Sequence, residues 1–347
     1  MPSPIPIALI GSGIFAKEEH LPAILAAPNL RLVAVYSRSL TSAKGLASGL
    51  SAKESEAVDL YSEDQDGKGF DALLQRQDIK GVIVALPILT QPDYIRRALT
   101  SGKHVLAEKP IAKDVSTAKA LLDFATSTPH PNAATFCIAE NFRFLDSFQY
   151  ASDTIASLGR VLNFRVRVDN MVMPGGKYFE TAWRKVPEYQ GGFLLDGGVH
   201  FLAATRLLLA KESLVRTSAF TAQLQEHLPP VDTVHAVVQL GSGVSGTVEI
   251  SFGTTFTGSE YSVACEKGTV SVSRGKVTIT RGKDVEVKDH PDEGNGVKQE
   301  VKAWAEGLQK GEMDRRQAPE EALKDLVLLE GMLNSGEKGG APVELDL

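Results

Sequence analysis

The stretch "IPIALIGSGIFA", residues 5–16, decides the fold. Its first six residues are almost continuously apolar, as in a parallel strand that is covered on both faces. Gly11 and Gly13 follow directly, and a helix-like segment begins there. Glycine lets a pyrophosphate approach the backbone, and the free N–H groups of a helix start attract phosphate. We therefore predict a dinucleotide-binding turn made of Gly11, Ser12, Gly13, Ile14 and Phe15.

The alternative for such a motif is a glycine-rich turn that binds nothing. The segment "GSGVSG", residues 241–246, is equally rich in glycine, but strand-like runs flank it on both sides, and we predict a hairpin there. The strand before residue 11 and the helix after it distinguish the first motif from the second. The first motif also lacks the Gly-Lys-Ser/Thr ending of a P-loop, so nucleotide hydrolysis is not expected.

The pattern of short apolar strands and amphipathic helices continues through the first third of the chain, with strands at residues 31–37, 81–86 and 104–108. This alternation predicts a Rossmann-type, doubly wound parallel sheet over residues 1–130. From about residue 133 the runs alternate apolar and polar positions, as in "LNFRVRVDNMV", residues 162–172. We predict an α+β domain with a mainly antiparallel open sheet over residues 131–347, whose C-terminal helix packs back on the first domain.

Composition excludes several classes of protein. The 347 residues carry 37 Lys and Arg against 43 Asp and Glu, and a net charge of −6 argues against a nucleic-acid or anionic-membrane partner. Cys137 and Cys265 lie in apolar runs, which favours buried thiols in a reducing compartment. The N-terminal segment lacks a basic region and a cleavage site, so we expect no targeting signal there, and no apolar run approaches the roughly 18 residues of a membrane span. We expect a cytoplasmic protein, and the seven scattered histidines predict no metal site.

The end of the second strand bears on the choice of dinucleotide. A site for NAD needs a carboxylate there, to accept hydrogen bonds from the ribose 2′-hydroxyl. The sequence "VYSRS" instead has Ser37 and Arg38, whose hydroxyl and guanidinium groups suit a 2′-phosphate. An ordinary solvated arginine is the alternative. We predict NADP (NADPH) as the cofactor.

The stretch "HVLAEKPIA", residues 104–112, ends a buried strand with a cation. By our count this is the fifth strand, and ligands of open α/β sheets bind beyond the carboxyl ends of the strands. Lys109 there could hydrogen-bond a substrate hydroxyl or polarise a carbonyl as hydride arrives, while Pro110 stiffens the turn. A surface lysine at a strand exit is the alternative if the motif stands alone.

A second polar pair follows in "GGFLLDGGVH", residues 191–200. If a helix begins near Asp196, then Asp196 and His200 lie on one face of it, four residues apart. An imidazole exchanges protons near neutral pH, and a carboxylate can orient it. A capping aspartate beside a packed histidine is the structural alternative.

Together these segments resemble the Gfo/Idh/MocA family of sugar and cyclitol oxidoreductases, most closely its fungal NADP(H)-dependent branch. The resemblance runs through "GSGIFA", "AEKP", "ENFRF", "WRKVP" and "GGFLLDGGVH" to the final "APVEL". It implies a catalytic trio of Lys109, Asp196 and His200, and a homo-oligomer formed through the C-terminal sheet. It also implies further cofactor contacts at Leu86, Pro87, Gln91, Glu108 and Lys109, and a substrate site lined by Asn141, Arg143, Trp183, Arg184 and His200.

The sequence departs from the family pattern in two places. Many members have a Thr-Pro-Asn segment and a histidine after the fourth strand, where this chain has Pro87, Ile88 and Gln91. Many also carry an acid three residues after the catalytic histidine, where this chain has Ala203.

The resulting hypothesis is an NADP(H)-dependent oxidoreductase. Hydride would pass between the nicotinamide and the CH–OH or carbonyl carbon of a small polyol, sugar or aldehyde. The alternative is a non-catalytic, NADP-sensing regulatory protein on the same fold. The trio favours the enzyme, because a sensor has no need of Lys109, Asp196 and His200 together.

Overall fold

The computed structural model describes residues 3–127 and 130–347. Residues 1–2, at the start of the segment expected to lack a targeting signal, and residues 128–129, beside the predicted domain boundary, lie outside the described residues. Backbone contacts divide the chain into two compact units. The first contains residues up to Ala112, Ser116–Glu140 and Val297–Ala322; the second contains Lys113–Val115, Asn141–Gly296 and Leu323–Leu347.

The first unit is built on a six-stranded parallel sheet, in the order β3-β2-β1-β4-β5-β6. Its strands are β1 (Ile5–Ile10), β2 (Leu30–Ser37), β3 (Asp59–Ser62), β4 (Gly81–Val84), β5 (His104–Glu108) and β6 (Phe136–Ala139). This order is that of a doubly wound Rossmann sheet, and the chain changes direction between β1 and β4. The predicted fold class is confirmed here, because the buried apolar runs form parallel strands.

The second unit contains a nine-stranded sheet in the order β14-β13-β12-β11-β7-β10-β9-β8-β15. Its strands are β7 (Val161–Asp169), β8 (Leu214–Ala222), β9 (Thr233–Leu240), β10 (Ser245–Ser251), β11 (Gly258–Cys265), β12 (Gly268–Ser273), β13 (Lys276–Arg281), β14 (Asp284–Asp289) and β15 (Val343–Glu344). All neighbours pair antiparallel except β7 and β10, which are parallel. The sheet is therefore mixed but mainly antiparallel, as predicted.

The helices follow the amphipathic segments between these strands. They are α1 (Leu21–Ala26), α2 (Leu40–Ala47), α3 (Ala52–Glu56), α4 (Phe70–Leu74), α5 (Gln91–Thr100), α6 (Val115–Ser127), α7 (Asp146–Ser157), α8 (Ala182–Lys185), α9 (Phe193–Asp196), α10 (Gly198–Leu208), α11 (Val297–Lys310) and α12 (Pro319–Glu337). A π-helical turn, Ala16–His20, precedes α1, and 3-10 turns lie at Pro131–Ala133, Asn141–Phe144 and Arg315–Gln317. Short π-helical turns of this kind are frequent at functional sites.

The second glycine-rich segment forms the predicted hairpin. Strands β9 and β10 pair antiparallel on either side of it, with Ser245 opposite Gln239. Gly243 has φ +87°, a left-handed conformation that glycine adopts without steric cost. The two glycine motifs therefore serve different purposes, as their flanking strands and helices indicated.

One face of the second sheet carries a row of mostly small polar side chains across eight strands. In register order the row is Val287, Thr278, Ser271, Ser262, Arg165, Thr247, Val237 and Ser218. Val237 is 50% exposed, and Phe220, two residues along β8 from Ser218, is 68% exposed. The opposite face supplies the buried residues of the same strands, such as Val166 and Val248. This alternation is the one expected of an antiparallel sheet with one open face.

Helix α11 contributes to the core of the first unit. Its Trp304 is 2% exposed, and a Cβ placed on Gly81 at the start of β4 would lie 3.0 Å from the Trp304 ring. Both cysteines are buried free thiols, and burial raises the pKa of Cys137 to about 12. The prediction that both thiols are buried is confirmed. Among the described residues, no helix is both long enough and apolar enough to cross a bilayer.

Candidate functional site

Gly11 makes the turn at the end of β1 possible. Its φ is +112°, and its N–H donates to the carbonyl oxygen of Tyr36 at 2.9 Å. A Cβ at this position would lie 2.2 Å from the carbonyl oxygen of Ala85, just after β4. Because real Cβ atoms do not approach a backbone oxygen so closely, only glycine fits between the two strands at their carboxyl ends.

Gly13 forms an open cradle at the start of the following helix. It is exposed, and a Cβ added to it would meet no heavy atom within 4 Å. The Gly13 carbonyl accepts from Lys17 N–H at 3.0 Å, so helical hydrogen bonding begins here, while Ile14 and Phe15 are half-buried. A bare backbone at a helix start fits the pyrophosphate of a dinucleotide.

The end of β2 is tied to the glycine turn. The hydroxyl oxygens of Ser12 and Ser37 lie 2.7 Å apart, and Ser37 is only 7% exposed. Arg38 is exposed at the same edge. A carboxylate is present there too: Asp64 accepts from the N–H of Leu40, the first residue of α2, at 2.8 Å. Hydrogen bonds from Ser62 and then from Leu40 lower the pKa of Asp64, so this acid is ionised at neutral pH.

Gln91 braces the turn that carries Lys109. Its side-chain amide donates to the carbonyl oxygens of Glu108 and of Pro110, the residues on either side of Lys109. The bond to Pro110 measures 3.3 Å, and Gln91 is 1% exposed. Lys109 itself is half-buried at the carboxyl end of β5, where the sequence placed it. A role for Gln91 as a direct cofactor contact stays a prediction, as do those of Leu86 and Pro87, which are half-buried after β4.

Glu108 belongs to a buried polar cluster that sequence reasoning missed. Its Oε1 lies 2.6 Å from His20 Nε2, and one ligating atom from each of His20, Glu108 and Glu300 lies within 4.8 Å of the other two. Both His20 and Glu300 are 0% exposed. A signal was available in α11, where Glu300 falls in the apolar stripe formed by Val297, Val301 and Trp304.

Arg184 holds the carboxylate of Asp196. Its Nε lies 2.5 Å from Oδ2, its Nη2 lies 3.4 Å from Oδ1, and both side chains are largely buried. The guanidinium also stacks on the ring of Trp183, with Cζ 4.0 Å from the ring centroid. Burial, with the negative charge of Asp196, raises the pKa of the neighbouring Tyr189 above its ordinary value. Asp196 therefore sits in a fixed, hydrogen-bonded orientation.

The helix boundaries near Asp196 differ from the prediction. We expected a helix to begin near Asp196, whereas α9 ends there and α10 begins at Gly198. Gly197 joins them with φ −101° and ψ −35°, close to helical values, so the chain stays on a helical path up to His200. The His200 ring, half-buried, stacks on Phe142 at 4.9 Å between centroids and 19° between planes.

Two residues predicted to line the substrate site make strong internal contacts. Asn141 Nδ2 donates to the carbonyl oxygen of Asn295 at 2.5 Å, and Arg143 Nη2 pairs with Asp325. Asp325 also binds Arg206 Nη1 at 2.7 Å through its other oxygen, and it is 2% exposed. These contacts give Asn141 and Arg143 a structural role in the second unit. Their contact with substrate stays a prediction.

The structure thus gathers the predicted residues in two groups. The glycine turn, Ser37, Arg38 and the Lys109 turn all lie at the carboxyl ends of the strands of the first unit. The second unit brings together Trp183, Arg184 and Asp196, and it contains His200. The meeting of Lys109 with Asp196 and His200 in one pocket stays a prediction.

Comparison with protein families gives two matches that together cover most of the chain. A model described as an oxidoreductase family with an NAD-binding Rossmann fold matches residues 5–132. Its companion, described as the C-terminal alpha/beta domain of the same oxidoreductase family, matches residues 154–345.

Individual proteins are similar over most of their length, from 62% to 98% of each. The chain is 42% identical to dehydrogenase FPY6 of Fusarium mangiferae, over 96% of this chain and 97% of that one. It is 31% identical to a dTDP-3,4-didehydro-2,6-dideoxy-alpha-D-glucose 3-reductase of Streptomyces violaceoruber, over 69% of this chain and 62% of that one. Among solved structures, an oxidoreductase of Thermotoga maritima superposes with a TM-score of 0.86 at 28% identity, covering 98% of each chain.

The buried pairing of Asp325 generates a stability prediction. Asp325→Ala leaves Arg143 and Arg206 as buried cations without this carboxylate, so we expect a loss of about 3–5 kcal/mol in the free energy of unfolding. The control is Glu344→Ala in the exposed pair with Arg216, expected to cost at most about 1 kcal/mol. Urea unfolding followed by tryptophan fluorescence measures both. Equal effects in the two variants would contradict the structural role of Asp325.

Proposed function

Because the chain belongs to the Gfo/Idh/MocA oxidoreductase family, we propose that it is an NADP(H)-dependent dehydrogenase or reductase. Its substrate is a small polyol, sugar or aldehyde, which reacts at a CH–OH or carbonyl carbon. The observation that carries the proposal is the turn after β1. Gly11 fits where no side chain could, Gly13 leaves the helix start bare, and Ser12 bonds to the end of β2. That arrangement suits a dinucleotide and has no use in a turn that binds nothing.

The proposed chemistry divides between cofactor and protein. When bound, the nicotinamide supplies the acceptor or donor of hydride. In the oxidative direction His200 accepts the hydroxyl proton, and Lys109 stabilises the negative charge that develops on the oxygen. Asp196, fixed by Arg184, supplies a negative charge one helical turn before His200. In reduction His200 donates the proton instead.

The choice of NADP rests on the end of β2. Ser37 and the exposed Arg38 offer a hydroxyl and a guanidinium, and no carboxylate occupies the position that NAD requires. Asp64, which follows β3 and accepts from the first residue of α2, is the main counter-argument, because its negative charge opposes a second anion at that edge. Arg38 favours binding of the 2′-phosphate and Asp64 opposes it, so variants of these two residues should change NADPH affinity in opposite directions.

The substrate class follows from the family and from the names of relatives. The Streptomyces relative is, by its name, a reductase of a keto-deoxysugar, and FPY6 is named a dehydrogenase. The first name gives a sugar derivative as the substrate, and the second gives only the type of reaction. We extend that class, without a particular sugar, to this chain.

We also propose that the protein is a homo-oligomer that associates through the open face of the second sheet. The face carries mostly small polar residues, with exposed apolar groups at Val237 and Phe220. Light scattering of the full chain should give at least twice the mass of the 37.3 kDa chain.

The buried free thiols of Cys137 and Cys265 support a reducing compartment, the cytoplasm.

Arg38 tests the cofactor assignment. Arg38→Ala removes a charged hydrogen-bond donor to the 2′-phosphate and should weaken NADPH binding by about 10- to 100-fold, with little change for NADH. Asp64→Asn is the opposing variant and should tighten NADPH binding. Fluorescence titration with both nucleotides measures these constants. An unchanged preference in Arg38→Ala refutes the assignment to NADP.

Lys109 tests the reaction. The wild-type protein should oxidise NADPH when it is mixed with a panel of keto-sugars and aldehydes, followed by nicotinamide absorbance. Lys109→Met should lower turnover by about 100- to 1,000-fold, the usual effect of losing one donor to a developing oxyanion, with NADPH affinity nearly intact.

The control for this assay is Lys113→Met, which removes a nearby lysine paired with Asp114. Saturable NADPH binding without turnover on any member of the panel would support the regulatory alternative instead. Equal loss of turnover and of NADPH binding in Lys109→Met would show that Lys109 serves the cofactor alone.

A further inference from the structure

The 3-10 turn at residues 141–144 carries a residue that the proposed mechanism does not use. Asn141 and Arg143 are buried, and their side chains make the internal contacts described above. Phe142, between them, is only half-buried. The contacts of its two neighbours fix the backbone of the turn, so the position from which the Phe142 ring projects is fixed as well.

The ring of Phe142 covers one face of the His200 imidazole. The two ring centroids are 4.9 Å apart and the ring planes make an angle of 19°, the geometry of an offset stack. The nitrogens of an imidazole donate and accept hydrogen bonds in the plane of the ring. A stack on the face of the ring therefore holds His200 in one plane and leaves its nitrogens able to exchange a proton.

Other aromatic rings hold Phe142 in place. Phe201, the residue after His200 on α10, meets it edge to face, with centroids 5.8 Å apart and planes at 66°. Phe148 of α7, which is 2% exposed, lies 6.1 Å from it with planes at 53°. Close packing of this kind restricts a ring to few rotamers. The stack on His200 is therefore part of the packed second unit.

The electrostatics of the stack suit a group that takes up a proton. The face of an aromatic ring carries partial negative charge and attracts a cation placed over it. In the oxidative direction proposed above, His200 accepts the proton of the substrate hydroxyl and becomes positively charged. Phe142 lies against the ring on which that charge develops.

We propose that Phe142 is a positioning residue for proton transfer, which fixes the plane of the His200 imidazole and stabilises the positive charge that this ring acquires. Phe142 acts through His200 and does not itself exchange a proton. The inference rests on the proposed function for what His200 does, whereas the stack itself does not depend on that function.

The first experiment detects the stack in the full-length protein. With labelled histidine, the NMR signal that is lost in His200→Gln belongs to His200. Phe142→Leu should move this signal, because the ring current of Phe142 acts on an imidazole stacked against it. The control is Phe124→Leu, which removes a phenyl ring 5.4 Å from His130 and should leave the His200 signal in place. An unmoved His200 signal in Phe142→Leu would overturn the proposal.

The second experiment measures what the stack contributes to turnover of a keto-sugar or aldehyde. Phe142→Leu keeps an apolar side chain but removes the aromatic face. We expect kcat to fall about 3- to 30-fold, the range that cation–π contacts supply, while KM for substrate and for NADPH changes less than about twofold. Phe142→Tyr retains the ring and should keep at least about half of the wild-type kcat. Phe124→Leu should turn over like the wild type.

The same measurements separate the alternatives to a positioning role. An unchanged kcat in Phe142→Leu with a lower melting temperature would assign Phe142 to packing only. A rise in the substrate KM with kcat unchanged would assign it to substrate binding, and either result overturns the proposal. Equal losses of kcat in Phe142→Leu and Phe142→Tyr would do the same, because only the tyrosine variant keeps an aromatic face.

The two experiments also distinguish this inference from the proposed function. Absence of turnover in the wild type would refute the proposed function and with it the part of Phe142 in proton transfer. The NMR spectra would still decide whether Phe142 stacks on His200.

Discussion

The close approach of β1 and β4 at residue 11 is the constraint on which the rest of the first unit depends. The carbonyl oxygen of Ala85 occupies the space that any side chain at position 11 would need. This contact brings the carboxyl ends of the two central strands together where the sheet changes winding direction, and it is there that ligands of such sheets bind. The bare helix start, the bonded serines of β1 and β2, and the Lys109 turn all border the same edge.

The two units differ in how their buried polar and charged groups are arranged. In the first unit, polar groups are buried behind the Lys109 turn, and Gln91 fixes the backbone on both sides of the lysine. In the second, charge is neutralised in pairs: Arg184 with Asp196, and Arg143 and Arg206 with Asp325. Desolvation offsets much of the attraction between the charges, so such pairs add little net stability. Their main effect is to hold the paired side chains in one orientation.

Much of the fold could be read from the sequence, because strand periodicity and glycine placement are local properties. The run of apolar residues before Gly11 and the alternation in residues 162–172 each report the environment of their own strand. The polar cluster could not be read this way, since His20 and Glu108 are 88 positions apart and meet only through the sheet. Gln91 and Arg143 show a related limit of sequence analysis. Each lies in a segment that the sequence singled out, but tertiary packing decides which neighbour its side chain binds.

The ends of the long segment Asn141–Gly296 meet in space. The amide of Asn141 bonds to the carbonyl oxygen of Asn295, and Gly296, at φ +89°, passes so near the Asn141 carbonyl that a Cβ there would lie 2.2 Å from it. A segment whose two ends lie side by side can be replaced as one block, because both junctions are at the same place in the fold. Exchanging it between relatives at these two points would move strands β7 to β14 together, and with them most of the large sheet.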